Sequence, residues 1–396
     1  MKVFRYHCCI WFVILISCTD SKSDLHVIQT QSVDAQILLT IGSDNQPFEY
    51  QLGDPISVIT DSIGNMYIAD RASLTIKVFD PEGNYVRSIG GRGRGPGEFM
   101  QFNLMRPAND GTLLLQDRGK MVFVYLSTDG EQISSHPVYI SNQYYPKDVI
   151  WQDESTIGLQ QEGSGRSSNP LPMNRSLFYV YDRTFQELDN SFFEFQELGY
   201  TEEEMFIWSS FIYHPGSVDA LTGQNRFIYS PGVYTGELYE FIRTDSDKWQ
   251  LERKITATPP TDLPYEIYSS ESKYEVMNGI SGVNQIRFSS IPDWGRLYSI
   301  DAGVFYLENG NIAHFYGEWR GGDTTLEEGN TFDLFVQVLS SEGEILNHGF
   351  VKSLDFDRRP SLSLVSWKDE QDHFYLINLS KFDAPTVIKF RLELSD

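Results

Sequence analysis

Five arginines have the chemistry to hold an anionic group. A guanidinium group forms two parallel hydrogen bonds to a carboxylate, sulfate or phosphate, so arginine is the residue best suited to such ligands. The alternative is that each arginine only pairs with a neighbouring loop aspartate such as Asp70 or Asp117, an exposed contact worth roughly 0 to 1 kcal/mol. The candidate ligand-facing residues are Arg71, Arg92, Arg94, Arg118 and Arg320.

Arg92 and Arg94 lie in the most glycine-dense stretch of the chain, residues 90–97. Unhindered glycine amides can wrap a phosphate, but the Gly-Lys-Ser/Thr sequence of a phosphate-binding loop is absent. Pro96-Gly97 predicts a turn where a phosphate loop would continue into a helix. The stretch is therefore interpreted as a connection between two elements of the fold, in which glycine permits positive φ angles.

The other polar residues identify no catalytic group, cofactor or metal site. The five histidines beyond residue 26 are widely spaced, and none forms a His-x-x-x-His pair. The acidic runs at residues 202–204 and 327–328 are neighbours in sequence, so they do not flank a substrate as a glycosidase pair does. The sequence Gly-x-Ser-x-Gly does not occur, and no nucleophile is predicted.

Cys18 carries the most specific predicted modification. Lys2 and Arg5 precede an apolar run at residues 10–16 that is too short to span a membrane, so residues 1–17 are predicted to be a signal peptide. Residues 15–18, Leu-Ile-Ser-Cys, resemble a bacterial lipobox, which implies cleavage before Cys18 and lipid attachment to its thiol. Residues 18–33 would then be a lipidated polar tether. An uncleaved signal and a chance cysteine are the alternatives.

Cysteine content and net charge exclude several function classes. The chain has three cysteines, and Cys8 and Cys9 leave with the signal peptide, so a disulfide, a cysteine zinc site and a cysteine nucleophile are excluded. The net charge is −24, and loss of Lys2 and Arg5 takes it to −26. A field of this sign repels polyanions, and no run is dense in Lys and Arg, so no nucleic-acid partner is expected.

A repeat organises the chain from residue 54 to residue 135. Short alternating segments separated by glycine-bearing turns predict four strands between residues 54 and 90, and the same spacing then returns. A period of 40 to 50 residues with four strands per unit is typical of β-propeller blades. Three pairs of turn or strand-end residues are each separated by 47 positions: Gly64 and Gly111, Asp70 and Asp117, and Gly83 and Gly130.

These two units resemble the NHL-type six-bladed β-propellers, in particular bacterial propeller lipoproteins. The resemblance lies in Gly-Asn-Met-Tyr-Ile-Ala-Asp at residues 64–70, Ile-Lys-Val-Phe-Asp at 76–80 and Gly-Arg-Gly-Pro-Gly-Glu-Phe at 93–99. It covers about residues 54–135 and implies an all-β fold of six blades, with seven as the alternative. Such propellers serve many roles, so the resemblance does not identify a ligand.

The rest of the chain supplies further strands and a way to close the ring. The last segment, residues 362–392, has only three strands, so residues 35–41 are predicted to add the fourth. The hairpin at 332–350 either completes the fifth blade or belongs to another blade. Residues 34–396 are thus predicted to form a single propeller domain, with short helical insertions at 201–208 and 264–280. The predicted strand segments are 156–159 with 177–182, 226–229 with 238–241, and 297–300 with 304–307 and 312–316.

A four-stranded meander sends its b–c turn and its connection to the next blade to one face. In this arrangement Arg71 and Arg118 follow matching second strands, Arg92 and Arg94 lie in the first connection between blades, and Arg320 lies in a similar glycine-bearing connection, Gly317 to Gly322. The long segment from Gln161 to Arg175, which carries Arg166 and Arg175, is predicted to be another b–c loop. The sequence therefore predicts that this face binds a protein, peptide or glycan ligand. Local pairing with aspartates is the favoured interpretation of the arginines, and an anionic ligand is the alternative. The lipid would be the chain's one link to the membrane, and the predicted location is the bacterial outer membrane, with the side left open.

A propeller enzyme is the alternative function. Separate blades of a propeller can together hold a divalent cation at the channel mouth, so the wide spacing of the histidines does not exclude a hydrolase or a lyase. Because no nucleophile or metal ligand is identified, the favoured interpretation is a binding or scaffold module without a cofactor.

Overall fold

The computed structural model describes residues 32–108, 110–137, 145–152, 155–161, 176–201, 215–221, 224–245, 248–261, 263–268, 285–287, 294–321, 330–356, 364–380 and 383–394. These residues form β-strands and one 3-10 turn, Phe195–Leu198. The predicted signal peptide, Cys18 and the tether up to residue 31 lie outside the described residues. So do residues 202–208 of one predicted helical insertion.

Six four-stranded antiparallel sheets form the blades of a β-propeller, as the sequence predicts. Blade 1 contains β2 (Pro55–Thr60), β3 (Met66–Asp70), β4 (Thr75–Phe79) and β5 (Tyr85–Gly90), and blade 2 contains β6 (Phe102–Pro107), β7 (Leu113–Asp117), β8 (Val122–Leu126) and β9 (Gln132–Pro137). Blade 3 contains β10 (Tyr145–Gln152), β11 (Ser155–Gln161), β12 (Ser176–Tyr181) and β13 (Glu187–Glu194), and blade 4 contains β14 (Gly216–Leu221), β15 (Arg226–Pro231), β16 (Glu237–Arg243) and β17 (Trp249–Thr256). Blade 5 contains β21 (Ser299–Tyr306), β22 (Ile312–Gly321), β23 (Asn330–Leu339) and β24 (Ile345–Phe356), and blade 6 contains β25 (Val365–Lys368), β26 (Phe374–Asn378), β27 (Thr386–Leu394) and β1 (Val33–Ile41).

The first strand of each blade lines a central channel. β2, β6, β10, β14, β21 and β25 contact one another in this order, and β25 contacts β2, so the six strands form a ring. Strands a to d follow from the channel outwards in each blade. We call the side with the b–c turns and the connections between blades the b–c face, and the side with the a–b and c–d turns the a–b face.

The N-terminal strand closes the ring. β1 pairs antiparallel with β27, from Val33 opposite Leu394 to Ile41 opposite Val387, and becomes the outermost strand of blade 6. This confirms the predicted closure. It joins the two ends of the described chain in one sheet, so the sixth blade forms only when both ends are in place.

Burial decreases from the inner strands to the outer ones. Every residue of β3 and of β7 is buried, because these strands lie inside a sheet that packs between two neighbouring blades. In β9, an outer strand, half-buried and exposed residues alternate. The continuous apolar runs of the inner strands and the alternation of the outer strands therefore follow from position within the blade.

Blade 5 corrects part of the predicted strand pattern. Residues 299–306 form one strand, where the sequence predicts two, and its register shifts between Asp301 and Gly303. Gly303 has a φ of 142°, which lets the strand bend without ending. The hairpin predicted at residues 332–350 belongs to this blade as β23 and β24.

A small three-stranded sheet is inserted between blades 4 and 5. It contains β18 (Tyr265–Tyr268), β19 (Gln285–Arg287) and β20 (Trp294–Leu297), with β20 in the middle. The prediction of a helix beginning at residue 264 is wrong over Tyr265–Tyr268, where tyrosine and isoleucine favour a strand. Residues 269–280 of that prediction lie outside the described residues. No helix in the described part of the chain is long and apolar enough to cross a membrane.

Candidate functional site

Two of the five candidate arginines lie at equivalent positions of blades 1 and 2. Arg71 follows β3 directly and Arg118 follows β7 directly, so both enter the b–c turn of their blade. The backbone N–H of Arg71 donates to the carbonyl of Asp54 at 2.9 Å, and that of Arg118 donates to the carbonyl of Gln101 at 2.9 Å. The 47-residue repeat therefore extends to the contacts that fix these two residues.

The aspartates before the arginines hold the backbone and do not pair with the guanidinium groups. Asp70 and Asp117 are 2% and 0% exposed. The Asp70 carboxylate accepts the backbone N–H groups of residues 53, 54 and 72, and the Asp117 carboxylate accepts those of residues 100, 101 and 119, all within 2.8 to 3.1 Å. Arg71 pairs with Asp54 instead, with 2.7 Å between Nε and Oδ2. Arg71 therefore pairs with a loop aspartate, as the alternative interpretation predicts, but its partner is Asp54 and not Asp70.

A buried lysine joins Arg71 and Arg118 at the channel. Lys147 lies in β10, the innermost strand of blade 3, and is 6% exposed. Burial and the positive charges of Arg118 and Arg71 lower the pKa of its ammonium to about 8. The charges of three successive blades therefore act on one another near the b–c face, and we call Arg71, Arg118 and Lys147 the cationic cluster.

The ammonium of Lys147 makes no hydrogen bond or ion pair with any residue that the structure describes. Lys77, the other buried lysine of this part of the ring, shows the usual arrangement and is 5% exposed. Its Nζ donates to the backbone carbonyls of Phe48, Glu49 and Gln51 at 3.3, 3.2 and 2.5 Å. Because buried charges are normally satisfied, Lys147 has capacity left for an anion from outside the chain.

Arg92 and Arg94 lie on the b–c face but outside the cationic cluster. Both side chains are exposed, and neither makes an ion pair with a described residue. They belong to the connection between β5 and β6, as interpreted from the sequence. The amides of this loop serve the loop itself, since Gly93 donates to the carbonyl of Phe99 at 3.0 Å and Phe99 donates to that of Gly91 at 2.7 Å. These amides are therefore not arranged to cradle a phosphate.

Arg320 is not in a connection between blades. It lies within β22, the second strand of blade 5, and its Nε is 2.5 Å from Asp333 Oδ2 of the neighbouring strand. The sequence predicts a loop at Gly317, but a Cβ there would come within 3.2 Å of Ile300 in the neighbouring strand, so this glycine provides room inside the blade. Arg320 is near the b–c end of its strand, in a blade that does not contribute to the cationic cluster. Arg166 and Arg175, in the predicted b–c loop of blade 3, lie outside the described residues.

Asp301, His314 and Ser230 form a buried, hydrogen-bonded set between blades 4 and 5, and its role is structural. His314 Nε2 lies 3.0 Å from Ser230 Oγ and 3.4 Å from Asp301 Oδ1, and Gln337 Nε2 donates to Nδ1 at 2.9 Å. Burial lowers the pKa of His314 and favours the neutral ring. All three members of the set are 1% exposed or less, so no substrate reaches them. Within the described ranges, no three His, Cys, Asp or Glu residues lie close enough together to hold a metal ion.

Sequence reasoning missed Lys147, the central residue of the cationic cluster. The signal available was weak: Lys147-Asp148 stands just before the apolar pair Val149-Ile150, which places a charged pair at the start of a buried strand. Asp148 is explained by its ion pair with Arg106, with 2.6 Å between Oδ2 and Nη2. No local pattern indicates that Lys147 would face two arginines that lie 76 and 29 positions earlier in the chain.

The fold is that of a six-bladed β-propeller. Residues 49–159 match the DUF5128 family, which is described as a 6-bladed β-propeller. A member of the DUF4221 family from Bacteroides vulgatus has a similar structure, with a TM-score of 0.56, 13% identity, and coverage of 92% of this chain and 100% of that chain. At this identity the likeness concerns the fold alone.

Two further solved structures are less similar. A Bacteroides fragilis protein is 11% identical, covers 94% of this chain and 98% of that chain, and has a TM-score of 0.49. Virginiamycin B lyase from Staphylococcus aureus is 8% identical, with 89% and 98% coverage and a TM-score of 0.43. Scores this low carry no argument about function. No curated protein matches the chain in sequence.

Proposed function

We propose that this protein is a binding module of the bacterial envelope that captures an anionic group, a carboxylate, sulfate or phosphate, of a peptide or glycan. The capture site is the cationic cluster. The observation that carries the proposal is Lys147, a buried residue whose ammonium has two arginines nearby and no described partner. The likeness to NHL-type propellers and the lipid on Cys18 belong to the same proposal.

The free protein loses stability by keeping this charge buried. A fall in the pKa of Lys147 from 10.5 to about 8 corresponds to about 3 kcal/mol at neutral pH. An anion bound between the three cations would offset much of that cost, because each charge-assisted hydrogen bond contributes roughly 1.5 to 3 kcal/mol. A group that destabilises the free fold and would be satisfied by a ligand is typical of a binding site.

The charge distribution favours a ligand with localised negative charge over a polyanion. The chain as a whole carries −24, so an extended polyanion meets repulsion away from the cluster. The cluster occupies one sector of the b–c face, formed by blades 1, 2 and 3. A peptide with acidic side chains or a glycan with acidic sugars fits this arrangement, since its neutral part can lie across the rest of the face.

The proposal is tested by calorimetric titration of the full chain at pH 7 and low salt with acetyl-Gly-Glu-Gly-amide, methyl glucuronide and inorganic sulfate. We expect at least one of these anions to bind, and to bind more weakly as salt is added. Lys147→Met and Arg118→Ala should each weaken binding by about tenfold or more, a loss of about 1.4 kcal/mol. The preference between acetyl-Gly-Glu-Gly-amide and methyl glucuronide distinguishes a peptide from a glycan ligand.

Arg183→Ala is the matched control. Arg183 is an exposed arginine of the a–b face, with 2.7 Å between its Nη2 and Asp110 Oδ2, so it changes the net charge equally without touching the cluster. The proposal fails if none of the three anions binds, or if Arg183→Ala weakens binding as much as Lys147→Met does.

A further inference from the structure

The channel mouth on the a–b face contains a cavity with an acidic rim, whereas the cationic cluster lies at the b–c face. Its volume is about 190 Å³, and it opens into a wider funnel of about 1060 Å³. Innermost strands of blades 2 to 6 contribute to its wall. The apolar part of the wall includes Pro107, Val149, Val218, Phe305 and Trp367.

Three charged side chains line the cavity, and two of them are paired. Arg106 donates from Nε and Nη2 to the two carboxylate oxygens of Asp148, at 2.7 and 2.6 Å. Lys368 donates to Asp372 Oδ1 at 2.8 Å. The charges of these two cations are therefore largely neutralised by partners within the wall.

Asp219 is the third charged group and has no ion-pair partner among the residues described. Its Oδ2 accepts the backbone N–H of Tyr306 at 2.7 Å, and the backbone N–H of Ala220 also acts on the carboxylate. Burial raises the pKa of Asp219 to about 6, even though Lys368 from blade 6 and Arg106 from blade 2 act to lower it. Tyr306 of blade 5 is the remaining titratable group that faces it.

The surroundings of Asp219 extend the negative charge outwards. The funnel is rimmed by the acidic residues Asp61, Glu308 and Glu370. These come from blades 1, 5 and 6, so the field at the mouth draws cations towards the cavity from several directions. A carboxylate in an apolar cavity behind an acidic rim is suited to a single positive charge on an apolar body.

We propose that this cavity binds a protonated amine with an apolar body, its ammonium on Asp219 and its body against Trp367 and Phe305. The size agrees, because a cavity of about 150 Å³ holds a benzene ring, so about 190 Å³ accommodates one ring with an aminomethyl group. A free amine and a lysine side chain of a partner protein share this chemistry. This site is separate from the cationic cluster and goes beyond the proposed function.

Calorimetric titration of the full chain at pH 7.5 with benzylamine, benzyl alcohol and the peptide acetyl-Gly-Lys-Gly-amide tests the assignment. We expect benzylamine or the peptide to bind at least about tenfold more tightly than the neutral alcohol, because only a cation pairs with Asp219. Binding by benzylamine alone identifies a small-molecule site, and binding by the peptide alone identifies a lysine-recognition site. Affinity should fall as the pH drops below about 6, since the carboxylate becomes protonated.

Two variants and one control make the result decisive. Asp219→Asn should abolish the preference for the cation, and Ala220→Leu, which fills the cavity without changing charge, should weaken all binding. Asp129→Asn removes an exposed carboxylate outside the cavity and should leave binding unchanged. Equal binding of benzylamine and benzyl alcohol, no binding of either cation, or unaltered binding by both site variants would overturn the proposal.

Discussion

Replacing Lys147 by methionine should make the protein more stable while removing its capacity to bind anions. Methionine has a similar length and no charge, so it fills the same space in the inner strand of blade 3. Most buried substitutions destabilise a protein, and the opposite sign is expected here because the ammonium is buried without a described partner.

The magnitude follows from the pKa of Lys147. At pH 7 the lysine is charged in both folded and unfolded chains, and the fall in pKa from 10.5 to about 8 corresponds to about 3 kcal/mol of unfavourable free energy in the folded state. With an unfolding entropy of about 2.1 cal/mol/K per residue, a chain of this size would melt about 3 to 4 °C higher.

The pH dependence gives a second, independent signature. Because the folded pKa lies below the unfolded value, the unfolded chain binds more protons between pH 8 and pH 10.5, so the unfolding free energy of the parent protein rises with pH in this window. The variant lacks this rise. The stability difference between the two proteins should therefore be constant below pH 8 and disappear towards pH 10.5.

Thermal unfolding of the two proteins across pH 6 to 10, without added anion, measures both effects. Lys77→Met is the matched control, since burial lowers the pKa of this lysine too, but its ammonium donates to three carbonyls. Its removal leaves those acceptors without a donor and should lower the melting temperature. A Lys147→Met variant that melts at or below the parent protein at pH 7 would refute the reasoning, because it would show that the ammonium is already satisfied.

Four other predictions follow from the structure and the sequence. Anion affinity should fall about tenfold per pH unit above pH 8 as Lys147 loses its proton, and an affinity that stays constant to pH 10 in calorimetric titrations would exclude this lysine from the site. Asp117→Ala removes the acceptor of four backbone N–H groups and should lower the unfolding free energy by about 2 to 4 kcal/mol in denaturant titrations, whereas a loss below about 1 kcal/mol would indicate that water replaces the carboxylate. Gly90→Ala should cost about 2 kcal/mol in the same assay, because Gly90 has a φ of 82° and an added Cβ would overlap the Phe99 ring; an unchanged midpoint would show that the loop shifts freely. Cys18→Ser should move the protein expressed in bacteria from the detergent phase to the aqueous phase of a detergent partition, and equal partition of both proteins would exclude lipid attachment at this residue.

Local sequence pattern predicted the blades well where the repeat is regular. Gly64 and Gly83 have φ values of 89° and 86°, so the turns of blade 1 need glycine at the positions the pattern singled out. Because the C-terminal segment supplies only three strands, the sequence also predicted that β1 completes blade 6. Both inferences depend on short-range features, turn chemistry and strand alternation, which the chain carries in order.

The same reasoning failed where the chain departs from the repeat. The sequence predicts a loop at Gly317, but Ile300 of the neighbouring strand leaves little room for a Cβ at that position of β22. Arg320 therefore lies in the same strand and not in a connection between blades. The bulge at Gly303 likewise joined two predicted strands into one. In both cases packing against a neighbouring strand decided the outcome, and packing is not visible in the local pattern.

The sequence by itself determined the fold and the ring closure, because each depends on residues that are close together or on a simple count of strands. Tertiary structure alone decided the charge pattern of the channel. Lys147 meets Arg71 and Arg118, and Asp219 meets Tyr306, only because a closed ring brings the inner strands of distant blades side by side. Burial then shifts the pKa values of Lys147 and Asp219, since the desolvation of a side chain depends on everything that surrounds it and not on its neighbours in sequence.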